Sequence, residues 1–147
     1  MPHTVRFRVE PGDVDELQHV NNLVYLRWVQ DVAVAHSAAV GLGLQTYLDR
    51  GASFVVRRHE IDYLRPALKD DEVDATTQVI AVTPATAERF TTIRRLSDGA
   101  LLARANTLWA FVDLTNGRPV RIPEDIRARF PLEPLEETGR KNSKKGG

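Results

Sequence analysis

Between Val5 and Val9 the chain runs Val, Arg, Phe, Arg, Val, the period-two alternation of a strand with one buried face. The next stretch, Pro11 to Gln18, carries Pro, Gly and two Asp and has to be irregular. A helical period follows. Leu26, Val29, Ala33 and Val40 recur at spacings of three, four and seven behind Asn21 and Asn22, both competent N-caps, and Gly41 and Gly43 supply the stop. About twenty residues rising about 1.5 Å each predict a helix near 30 Å long, which is long for a chain of this size.

Beyond Gly51 the texture becomes that of strands. Runs rich in β-branched and aromatic residues span 53–63, 73–82, 88–96 and 100–112. Ser97-Asp98-Gly99 joins the last two as a hairpin, Thr115-Asn116-Gly117 closes the final strand, and Pro123-Glu124-Asp125 opens a short helical turn. One strand, one long amphipathic helix and then a run of antiparallel strands define an α+β domain. One helix covers only part of such a sheet. Arg57, Arg58, His59, Glu60, Arg94, Arg95 and Arg104 put charge into the strands, so the face away from the helix is not expected to be a dry core. The sheet edges also need a cover, for which pairing two copies is the common remedy.

Composition narrows the class. The 147 residues contain 20 basic and 20 acidic side chains, 27% charged overall, and no cysteine. That length suits one domain, and the balance of charge argues against disorder and against a generic nucleic-acid binder. Disulfides and thiolate metal sites are excluded, and His3, His19, His36 and His59 lack ligand spacing for a metal. No run of about eighteen apolar residues predicts a membrane-spanning helix. The first ten residues lack a basic segment followed by an apolar one and so do not read as a secretory leader; a cytoplasmic location is the expectation. Neutrality is itself uneven: residues 138–147 hold Arg140, Lys141, Lys144 and Lys145 and no acid, so the rest of the chain is acidic by the same amount. One domain over 1–137 and a basic, disordered tail over 138–147 are expected.

Candidate chemistry lies where the irregular segment meets the helix. An aspartate in water titrates near ~3.9 and is ionised at neutral pH, ready to act as a nucleophile or general base. Asp13 and Asp15 lie just before a helix whose first N–H groups have no internal partner and sit at the positive end of its dipole. An anionic attacker beside such donors is a minimal acyl-transfer site. By themselves, however, both aspartates suit a turn and a cap equally well.

The segment Asp13, Asp15, His19, Val20, Asn21, Asn22, Tyr25 resembles the signature of the hotdog-fold acyl-CoA thioesterases, in particular the 4-hydroxybenzoyl-CoA thioesterase-like family. The resemblance continues through Glu60-Ile61-Asp62-Tyr63-Leu64-Arg65-Pro66-Ala67, Asp98-Gly99, and Val112-Asp113 to Ile122-Pro123, as far as about Phe130. It implies a hotdog fold, in which a five- to six-stranded antiparallel sheet wraps a long central helix, and hydrolysis of an acyl-CoA to the free acid and coenzyme A without cofactor or metal. It further implies a homodimer or homotetramer with shared active sites. Asp15 corresponds to the catalytic carboxylate, acting directly or through water, and the Asn22 backbone N–H to the donor that binds the thioester oxygen. His19, Asn21 and Tyr25 correspond to substrate-binding positions, with a core role equally open for Tyr25; Asp13 corresponds to a loop-fixing residue.

The chain also departs from that pattern. Gln18 stands where the family usually has Gly, so the loop there must take backbone angles that a side chain accepts or be reshaped. Asp31, beside Gln30 on the helix, is the rival catalytic acid, as in another branch of the fold. The turn Thr83–Ala87 lacks the basic residues that some relatives use for coenzyme A phosphates, which leaves Arg57, Arg58, Arg65, Arg89 and Arg94 as candidates. Two other activities of the fold stay open: an acyl-CoA-binding protein without turnover, and an enoyl-CoA hydratase or dehydratase.

Overall fold

The structure, a computed structural model, describes residues 2–133 and 135. The elements are β1 (His3–Arg8), a 3-10 turn (Pro11–Asp13), α1 (Asn22–Ala39), α2 (Leu44–Arg50), β2 (Ala52–Tyr63), β3 (Glu72–Val82), β4 (Thr86–Arg95), β5 (Leu101–Asp113) and α3 (Glu124–Arg127). The strands form one five-stranded antiparallel sheet in the order β1-β3-β4-β5-β2, with β1 and β2 as its edges. The predicted basic tail lies outside the described residues.

The long central helix packs on one face of this sheet. Trp28, Val29 and Val32 of α1 are buried against Val73, Ala75, Ile93, Ala103 and Ala105 of β3, β4 and β5. The small sheet residues leave room for the indole of Trp28, which is 1% exposed and whose truncation would cost about 3–5 kcal/mol. A second cluster, with Leu42, Tyr47, Phe111, Ile126 and Phe130, fills the other end of the helix. On the opposite sheet face charges pair with one another: Arg6 Nε with Asp74 at 3.0 Å and Arg104 Nε with Asp62 at 3.1 Å. That face is polar, as the charged strand positions predict.

α1 has 18 residues and stops where expected. Gly41 takes φ +88, a left-handed angle for which the backbone selects glycine. The helix α2 is an element the sequence pattern does not predict. Its seven residues bury only Tyr47, leaving Leu44 and Leu48 exposed, too short a run to show a helical period.

Candidate active site

The segment between the 3-10 turn and α1 folds into a miniature hairpin. Val14 bridges Val20, Asp15 N donates to His19 O at 2.8 Å, and Gln18 N donates to Asp15 O at 3.0 Å. Gln18 is held at φ +66, the left-handed region that favours glycine. The loop therefore takes an angle that glycine would accept freely, and Gln18 bears the strain. The hairpin is anchored beneath by Val20 N donating to Ala67 O at 2.9 Å and by the His19–Leu68 bridge.

The two aspartates occupy different environments. Asp13 is 6% exposed; its Oδ1 accepts from Arg27 Nη2 at 3.1 Å, its Oδ2 from Glu10 N at 2.9 Å, and its carbonyl from Asn21 N at 2.8 Å. Such a carboxylate ties the loop to α1. Asp15 is half-buried, and its Oδ1 accepts from Leu17 N at 2.9 Å and His19 N at 3.3 Å. Its Oδ2 has no partner among the described residues. One oxygen thus sets the turn and the other stays available.

At the head of α1 the Asn21 side chain caps the helix, its Oδ1 accepting from Leu23 N at 2.9 Å, while Asn21 O accepts from Val24 N at 2.9 Å. The first N–H of the helix, that of Asn22, has no partner among the described residues. Asn22 instead opens onto a cavity of about 170 Å³ whose walls include His19, Tyr25, Tyr63, Arg65 and Pro66. Tyr25 is both core and wall: it is 3% exposed, its hydroxyl accepts from Ala67 N at 2.7 Å, and its ring meets Tyr63 edge-on at 5.3 Å. Burial raises the phenol pKa of both tyrosines, so both keep their protons at neutral pH. Tyr63 in turn donates to Asn22 O at 3.5 Å.

Of the sequence-predicted residues, His19, Asn22 and Tyr25 share this cavity. Asp15 adjoins it through His19 without lining it, and Asn21 turns its side chain to the cap. Asp31 is exposed on α1 and outside the walls. Tyr63 is the wall residue the sequence reading leaves without a role. A second unassigned residue, Arg95, braces the loop behind the cavity: it donates to Pro66 O at 2.8 Å, Asp71 Oδ2 at 2.9 Å and Asp98 Oδ2 at 2.9 Å. Among the coenzyme candidates, Arg65 is at the cavity, whereas Arg58 pairs with Glu60 at 3.2 Å and Arg89 is buried elsewhere. Among the described residues no cluster of three or more His, Cys, Asp or Glu could hold a metal ion.

A family model described as the thioesterase-like superfamily matches residues 9–130. The chain belongs to that superfamily. Solved structures share the fold. A thioesterase from Thermus thermophilus, complexed with coenzyme A and Zn, is 30% identical over 86% of this chain and 95% of its own, with a TM-score of 0.75. Slr0204, a 1,4-dihydroxy-2-naphthoyl-CoA thioesterase from Synechocystis, is 18% identical over 88% and 95%, with a TM-score of 0.81. A Lactobacillus plantarum protein named as an oleoyl thioesterase is 23% identical with a TM-score of 0.85; this chain is covered over 92% and spans 53% of that protein's length. The five-stranded sheet around α1 is the hotdog fold, and the chain is a thioester hydrolase.

Proposed function

We propose that this thioesterase cleaves an acyl-CoA to the free acid and coenzyme A at the head of α1, with Asp15 as the catalytic carboxylate and the Asn22 N–H as the oxyanion donor. The observation that carries this reading is that Asn22, whose N–H has no partner among the described residues, lines a cavity beside the Asp15–His19 hairpin. The oxygen of a thioester placed there would accept that N–H at the positive end of α1. Attack by Asp15 Oδ2 on the carbonyl carbon would form a mixed anhydride and release the coenzyme A thiolate, water then yielding the acid. Alternatively, Asp15 would take a proton from a water that attacks the same carbon. His19 and the Tyr25–Tyr63 pair would orient the acyl group, and Arg65 at the rim suits a coenzyme A phosphate. Asp15 stands beside the cavity rather than in its wall, which fits a site completed by a second copy of the chain.

The test is release of coenzyme A thiol from short, aromatic and long acyl-CoAs. Asp15→Asn is the informative variant. An amide oxygen can still accept from Leu17 N and His19 N, so the turn survives while the negative charge is lost. Turnover is expected to fall by at least about 10². If no acyl-CoA is hydrolysed by the unaltered protein, or if Asp15→Asn retains full activity, the assignment fails.

A further inference from the structure

The far end of α1 holds a second cavity, of about 210 Å³, walled by Leu42, Tyr47, Phe54, Trp109 and Phe130 and by one cation, Arg89. It shares no lining residue with the cavity at the helix head. Ala33, the first α1 residue in its wall, is eleven positions beyond Asn22, or roughly 16 Å along the helix.

Arg89 is out of place in such a wall. It projects from β4 toward α1 and is 7% exposed. Its Nη1 lies 2.9 Å from His36 Nδ1 and 3.5 Å from Thr77 Oγ1, and its guanidinium carbon is 5.3 Å from the centre of the Phe130 ring. All three partners are neutral: burial, and next the guanidinium itself, lowers the His36 pKa to about 4, so at neutral pH Nδ1 is an acceptor. Nε and Nη2 make no hydrogen bond to the described residues, and among those residues no carboxylate pairs with Arg89. Burial lowers the Arg89 pKa to about 10, which still leaves it charged. A charge withdrawn from water without a counter-charge is among the costliest features a core can hold. Here it faces a space with the room to admit one.

We propose that this cavity binds a small free carboxylic acid, its carboxylate bridging Nε and Nη2 of Arg89 and its apolar body lying against Phe54, Trp109 and Phe130. The planar fork of a guanidinium matches two carboxylate oxygens. A cavity of about 150 Å³ accepts benzene, so this one takes a single ring or a short chain with its carboxylate. The distance from Asn22 and the separate walls make the acid a ligand apart from the acyl group being cleaved, and the proposal stands whether or not Asp15 is catalytic.

The experiment is titration of the 15N-labelled full chain with benzoate and hexanoate and, as neutral isosteres, benzamide and hexanamide. The indole N–H signal of Trp109, assigned by Trp109→Phe, is the readout. The acids are expected to shift it saturably and to bind about tenfold or more tightly than the amides, since the difference is one charge-assisted pair. Arg89→Met is expected to abolish that preference and leave amide binding in place. Should Arg89→Met not fold, Arg89→Lys, which keeps the charge but not the fork, is expected to weaken the acids selectively. Equal binding of acid and amide by the unaltered protein, no shift at millimolar acid, or a preference that survives Arg89→Met or is untouched in Arg89→Lys overturns the proposal.

Discussion

Replacing Asn22 by proline deletes the backbone N–H from the candidate site together with the side-chain carboxamide, whose loss Asn22→Ala measures separately. The N–H it removes has no partner among the described residues. Proline is well accepted at the first position of a helix, and the preceding residue, Asn21, is already extended at φ −60 and ψ 138, as a residue before proline must be. The cap bonds from Leu23 N and Val24 N to Asn21 involve neither the lost atom nor the ring. Stability should therefore change little, while loss of an oxyanion donor costs roughly 10²–10³ in kcat, about 2.7–4 kcal/mol of transition-state stabilisation. Asn22→Ala keeps the N–H and should lose far less. The assay is thiol release at saturating acyl-CoA for the three proteins, alongside thermal unfolding. A fold-intact Asn22→Pro protein with turnover like that of Asn22→Ala would refute the role of this N–H.

Gln18→Gly should raise stability by up to ~1 kcal/mol by relieving the left-handed strain, offset in part by glycine's greater freedom when unfolded; a lower melting temperature would contradict it. Asp13→Ala removes the acceptor for Arg27 and Glu10 N and should cost about 2 kcal/mol, near 4–8 °C in melting temperature, with a fall in turnover as the hairpin loosens. Acidification should destabilise the fold between pH 6.5 and about 4. His36, whose folded pKa of about 4 lies below the ordinary 6.5, resists the proton that the unfolded chain accepts, so stability is present at neutral pH and declines by up to ~3 kcal/mol as pH falls through that window. Burial lowers the His59 pKa too and adds the same sign. His36→Gln should flatten the decline measured by denaturant unfolding at several pH values.

What was legible in the sequence was what depends on neighbours a few positions away. The strand alternations of 53–63, 73–82, 88–96 and 100–112 locate β2 to β5 to within two residues at each end, because the hydrophobic period is local. The helix end at Gly41 is local in the same sense. Side-chain fates were not. Arg89, Arg94 and Arg95 look alike as strand cations, yet Arg89 turns into the core beside His36, fifty-three residues away, and Arg95 holds Pro66 and Asp71. Asn21 and Asn22 were equivalent caps until the turn placed Asn21 Oδ1 on Leu23 N. Asp13 and Asp15 separate only through Arg27, fourteen residues on, and the hairpin amides.

That separation explains why the loop can carry strain next to the proposed catalytic carboxylate. The left-handed Gln18 destabilises the hairpin by roughly 1 kcal/mol, opposed within the turn by the Leu17 and His19 amides on Asp15 Oδ1. Further opposing terms lie outside the hairpin: the buried Asp13 clamp onto Arg27, the Val20–Ala67 bond, and the Arg95 brace on the loop that Ala67 belongs to. Arg95 hydrogen-bonds the cavity wall at the Pro66 carbonyl and acts on Tyr25 by its charge, so Arg95→Met should act mainly by releasing the loop. Thiol-release assays of that variant should show KM rising as the wall shifts, and acid binding to the Arg89 cavity, at the other end of α1, should be unchanged. Equal loss at both cavities would instead mean that the sheet itself had been disturbed.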